Sequence, residues 1–102
     1  PDVLAILNPQ QADCSYPEKN LAAVGVVFKL IQALFRGTSR ENVLQHFLKM
    51  VAVGTVADAV PITGENRVIV KFGLEGLSNP HNLGLQVLLR GLLYLRLLLI
   101  LE

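Results

Sequence analysis

Asp58 is the residue whose surroundings make its chemistry worth asking about. It is the sole charge in the run Met50-Val51-Ala52-Val53-Gly54-Thr55-Val56-Ala57-Asp58-Ala59-Val60-Pro61-Ile62, where every other side chain is apolar, small or a hydroxyl. A run this apolar favours burial, and an ionised carboxylate is costly to bury without a cation or donors to meet it. Two kinds of partner would offset that cost. Arg67, in Glu65-Asn66-Arg67, would give a structural ion pair, as a backbone cap would give a structural hydrogen bond. A divalent metal would give a functional site. The residues alone leave both open, because structural pairing perturbs carboxylates as readily as catalysis does.

Other starting points for chemistry are few. The sequence holds no Gly-rich phosphate loop and no serine in a nucleophile elbow. Cys14 has no Cys or His at ligand spacing, and His46 and His81 lie far apart, so a small half-buried thiol and a solvated helix histidine are expected. Asp13 and Glu18 fall in a polar loop and are expected in water. Glu65, Lys71 and Glu75 read as a wet helix face with ordinary charge pairing. Tyr16, beside Pro17, could stack on a base but more simply packs its loop.

These residues need elements to hold them. A chain of 102 residues is one domain or part of one. Nine basic against eight acidic groups leave no overall field to draw in nucleic acid or an anionic membrane. The chain is 52% apolar, more than a domain this small can bury, so some of that surface should face another domain or chain. A lone cysteine fits a reducing, cytoplasmic setting. The opening Pro1-Asp2-Val3 reads as an internal cut, and Leu101-Glu102 as a vector-derived end.

Residues 3–7 form a short apolar run stopped by Asn8-Pro9, which predicts one short strand. A loop with two prolines follows. Asn20 is a candidate N-cap for a helix whose stripe is Leu21, Val24, Phe28, Ile31 and Phe35, widened by Val27 and Leu34 and closed by Gly37. Thr38-Ser39-Arg40-Glu41 predicts a capping box for a second helix that buries Leu44, Phe47, Leu48 and Val51. Residues 66–77 combine strand-forming Val68-Ile69-Val70 with helical spacing of Ile69, Phe72, Gly73, Gly76 and Leu77; the spacing predicts helix. Ser78-Asn79-Pro80 should break it, and a last helix should start near Asn82. Residues 83–101 are rich enough in leucine to raise a membrane span, but Arg90 and Arg96 would each cost about 2.5–3.5 kcal/mol near a bilayer centre. A buried or partner-seeking helix is expected there, with no membrane.

Taken together, several segments resemble the RecJ family of single-strand-specific exonucleases, members of the DHH phosphoesterases. They are Asn8-Pro9, Cys14-Ser15-Tyr16-Pro17, the stretch from Leu21-Ala22-Ala23-Val24-Gly25 to Leu30, and Val53-Gly54-Thr55-Val56-Ala57-Asp58-Ala59-Val60-Pro61-Ile62 running on to Gly64-Glu65-Asn66-Arg67. The likeness spans roughly residues 3–78 in the family's order. It implies an α/β parent, a parallel sheet flanked by helices, of which residues 1–90 would be the C-terminal part of the catalytic domain. Residues 91–102 do not resemble what usually follows and are expected to be a divergent or vector-derived tail.

The resemblance also implies a chemistry. The aspartate of the family's Gly-Thr-x-Ala-Asp segment is a metal ligand and maps onto Asp58; Asn66 and Arg67 are expected to face substrate. The parent would use manganese or magnesium to release mononucleotides from the 5′ end of single-stranded DNA in repair and recombination. The Asp-His-His triplet and the upstream aspartates are absent from this chain. The segment alone is therefore expected to bind no metal tightly, to be inactive, and to self-associate through uncovered apolar faces. Another DHH phosphoesterase, acting on oligonucleotides, cyclic dinucleotides or pyrophosphate, and a helical interaction module are the alternatives.

Overall fold

The computed structural model describes residues 2–78 and 82–101. The expected break at Asn79-Pro80, together with His81, Pro1 and Glu102, lies outside the described residues. Four α-helices carry the chain: α1, Ala23–Phe35; α2, Leu44–Ala57; α3, Gly64–Glu75; and α4, Leu83–Leu101. A 3₁₀ turn at Glu41–Val43 leads into α2, and another at Gly76–Ser78 follows α3.

The expected strand does not form. Residues 3–7 run without pairing, and no strand occurs among the described residues. Val3, Leu4, Ile6 and Leu7 are all exposed. A strand needs a neighbour to take its N–H and C=O groups, and the described residues offer none. The segment is helical; an α/β parent is not expressed in it.

α1 starts later than an Asn20 cap predicts, because the backbone of Asn20 is engaged elsewhere: its N–H donates to Glu18 Oε1 and its carbonyl accepts from Asn66. Phe28 and Gly25 are its buried residues. Val24 and Ile31 are half-buried, while Val27 and Leu34 stay exposed, so the stripe is narrower than predicted. Gly37, at φ +73°, follows the helix in the left-handed conformation that glycine takes without strain.

The predicted capping box is replaced by a tighter device. The Thr38 hydroxyl donates back to Phe35 O at 2.7 Å and accepts Arg40 N–H at 3.3 Å. Glu41 N–H goes to the Thr38 carbonyl instead, and the 3₁₀ turn intervenes before α2. α2 buries Val51, Ala52 and Thr55, with Leu44 and Leu48 half-buried; Phe47, expected inside, is exposed.

Small residues set how closely the helices approach. A side chain at Gly73 would stand 2.7 Å from Leu48 O and inside contact with Ala52 Cβ, so α2 and α3 meet nearly backbone to backbone. One at Gly54 would stand 3.0 Å from Val24 Cγ1, where α1 crosses α2. Phe28, Val51, Ala52 and Ile69 form the core, with Leu21, Val24, Leu44 and Leu48 packed against it.

α4 is built on different terms. It starts near Asn82 as expected, and Asn82 caps it, its Oδ1 accepting Leu85 N–H at 3.0 Å. Leu85 is buried, yet every described residue from Gly91 onward is exposed. The radius of gyration, 16.4 Å, exceeds the about 13 Å of a compact chain this long. α4 is long and apolar enough to cross a membrane by length and composition, which is weak evidence for a single helix. Arg90 and Arg96 sit within that span and weigh against it. Leu85, Leu88, Leu92, Leu95 and Leu99 make one heptad seam, and no other register keeps both arginines and both glycines off it.

Candidate functional site

Asp58 closes α2. It is the C-cap residue, at φ −77° and ψ −3°, and its N–H donates to Gly54 O at 3.0 Å. Its side chain is exposed, and it forms no ion pair with Arg67. The burial that its apolar neighbours favour is thus corrected: α2 ends at Ala57, and the turn carries Asp58 off the core into solvent. The apolarity before it has its own reasons. Gly54 makes room for Val24, and the Thr55 hydroxyl, fully buried, donates to Val51 O at 2.7 Å.

The turn after Asp58 is unusual. Ala59 lies at φ +54°, in the left-handed region that a residue with a Cβ seldom occupies. Its N–H reaches Val56 O at 3.2 Å, ending the helix in the manner usually reserved for glycine. The chain then runs outside any helix or strand to an extended Thr63 and to Gly64, the first residue of α3.

Glu18, expected in water, docks on the start of α3. Its Oε2 accepts Glu65 N–H at 3.3 Å while Oε1 accepts Asn20 N–H at 3.1 Å. No side chain of α3's own N-cap does this, so Glu18 supplies the anion that a helix N-terminus favours. Gly64, at φ +51°, is required here: a Cβ would run into Glu18 Oε2.

Asn66 is fully buried, not open to a substrate. Its Nδ2 donates to Asn20 O at 2.7 Å and to Pro61 O at 3.1 Å, stapling the loop before α1 to the turn after α2. Its Oδ1 is buried without a partner among the described residues. Arg67, by contrast, is exposed.

Beside this staple, Glu65 joins three elements. Tyr16 donates its hydroxyl to Glu65 Oε1, and Lys29 from α1 reaches Oε2 at 3.2 Å. Burial raises the Tyr16 phenol above its ordinary value, with the Glu65 hydrogen bond adding and the Lys29 charge opposing. For Lys29, burial pulls the ammonium down, but the Glu65 hydrogen bond and charge outweigh it and the net shift is upward. Tyr16 and Lys29 also border a groove of about 320 Å³ between residues 6–11 and α1, in whose wall Cys14 sits half-buried. No spacing in the chain announces this triad, because its members are far apart in sequence.

One exposed carboxylate does not fit a divalent cation by itself, since such ions take six or more oxygens. Among the described residues no three His, Cys, Asp or Glu come together. What the site offers is a single carboxylate on a strained, stapled turn.

Sequence comparison finds that the chain is similar to a segment of proteins named as single-stranded-DNA-specific exonucleases. The relatives are RecJ proteins. It is 47% identical over 90 residues to RecJ of Bacillus subtilis, a match covering 88% of this chain and 11% of the relative. RecJ of Escherichia coli matches at 40% over 86 residues, and that of Haemophilus influenzae at 36% over 90 residues. Most of this chain is similar to one segment of RecJ, and it spans only 11–16% of these relatives' length. No family model and no solved structure matches.

Proposed function

We propose that this chain is a segment of a RecJ-type exonuclease, and that the whole protein hydrolyses single-stranded DNA from its 5′ end in cytoplasmic repair and recombination. The similarity to RecJ over most of the chain carries the reading. In it, Asp58 contributes one ligand to a manganese or magnesium site whose other ligands come from outside this segment, within an α/β catalytic domain. The bound metal would supply an activated water and charge stabilisation for phosphodiester cleavage. The exposure of Asp58 at a helix end supports that role, as does the exposure of Arg67 for a phosphate contact. Asn66, being buried, supports only an indirect one.

The test is the whole protein with Asp58→Asn, assayed on 5′-labelled single-stranded DNA with manganese. A loss of about 10³-fold or more in kcat is expected if a metal ligand is removed. Wild-type activity would overturn the assignment of Asp58. Cleavage of cyclic dinucleotides or pyrophosphate, but not of DNA, would point to another DHH phosphoesterase. The 102-residue chain alone is expected to be inactive.

A second reading, association between copies through α4, is favoured by the exposure of Leu88, Leu92, Leu95 and Leu99 along the leucine seam. Sedimentation equilibrium at micromolar concentration should show a dimer; a monomer there would dismiss it.

A further inference from the structure

We propose that Asn66 is a positioning residue for Asp58, acting through the backbone of the turn and not on substrate; the inference rests on the role of Asp58 given above. The turn is anchored at both ends by backbone bonds: Asp58 N–H to Gly54 O and Ala59 N–H to Val56 O at its start, Arg67 N–H to Thr63 O at its end. Between them, among the described residues, the hydrogen bond from Asn66 Nδ2 to Pro61 O is what holds residues 60–62. Ala59 in the left-handed region persists only where its surroundings over-determine the backbone. The second Nδ2 bond, to Asn20 O, ties the turn to the body of the molecule.

The side chain is specific to this task. Rotating the amide would turn its unpartnered Oδ1 against two carbonyls, so the orphan acceptor marks the one orientation that the site accepts. Full burial denies Asn66 any contact with DNA, and it stands on the turn of α3 preceding Ile69, whose side chain is in the core. A change at Asn66 should therefore displace Asp58 without touching substrate, and a small displacement of a catalytic group lowers kcat more than it raises KM.

The test uses the whole protein and the near-isosteric Asn66→Leu, which lacks the two donors. Expected are a kcat on 5′-labelled single-stranded DNA lower by about 10–100-fold, a KM changed by less than about 3-fold, and amide hydrogen exchange at Asp58 and Ala59, the two bonded amides of the turn, faster by about tenfold. Asn66→Ser, which keeps one donor on a shorter side chain, should fall between the two and carries the test if Asn66→Leu does not fold. Ile69→Val, lowering Tm comparably from the neighbouring core, should leave kcat and that exchange unchanged. Wild-type kcat or exchange in the Asn66 variants, or losses no greater than Ile69→Val produces at equal Tm, would overturn the inference. Asp58→Asn run beside them separates the two failures: if it is fully active, the role of Asp58 falls, while the exchange rates still decide whether Asn66 holds the turn.

Discussion

The body formed by α1 to α3 and the outlying α4 solve opposite problems. α4 is the most leucine-rich part of the chain, yet from Gly91 on it is wholly exposed. The body is less apolar, and α3 carries Glu65, Arg67, Lys71 and Glu75, yet it holds the core of Phe28, Val51, Ala52 and Ile69. Burial here follows shape more than hydrophobicity. Gly54 and Gly73 let helices approach to backbone range, whereas nothing packs against Gly91 of α4, and the leucine surface beyond it stays uncovered among the described residues.

The largest effect should come from testing that contrast directly. Ile69→Ala removes a core side chain and is expected to cost about 2–5 kcal/mol of stability by urea unfolding. Leu92→Ala, an equally apolar deletion on α4, should change the same measurement of the monomer by no more than about 0.5 kcal/mol. Equal costs would show that α4 packs on the body after all.

A smaller effect of opposite sign is expected at the turn. Ala59→Gly relieves the left-handed conformation and should stabilise the body by about 0.5–1 kcal/mol, after allowing for glycine's looser unfolded chain. A loss of stability would mean that Ala59 is not strained.

The smallest effect belongs to the triad of Tyr16, Glu65 and Lys29. Both titrating groups are raised in the folded chain from ordinary values of 10.0 and 10.5. Each favours folding below its unfolded value, and that contribution is lost as pH rises through the folded one. Stability should thus be level near neutrality and decline above about pH 10. Tyr16→Phe should flatten the decline; an unchanged alkaline profile would remove the triad from the account.

What could be read from the sequence follows from how local each cause is. Helical spacing placed α3 despite its Val68-Ile69-Val70, because periodicity is carried by neighbouring turns. Gly37 and Asn82 were legible as helix boundaries for the same reason. The strand at residues 3–7 failed because pairing is a property of two segments, and the described residues supply one. Asp58 was singled out by its neighbours but misjudged in burial, since the point where α2 lets go decides exposure. Glu18, Asn66 and the triad were illegible as a set: each acts across the fold, and nothing in the spacing of the chain ties Glu18 to Gly64.

That distance has a consequence for how the molecule assembles. The bonds from Asn66 to Asn20, from Glu65 to Glu18 and from Tyr16 to Glu65 close at separations of 46, 47 and 49 residues. Loops of that length are closed at an entropic cost that must be met before any of the three bonds can form, and all three close the same loop. The helical pair α2 and α3 rests on contacts nearer in sequence, but the Glu65 N–H at the start of α3 finds its acceptor only on the lead-in to α1. Arrival of that one strip of chain completes the helix end and the triad together, and it ties to the body, through Asn20, a turn whose own bonds are all local.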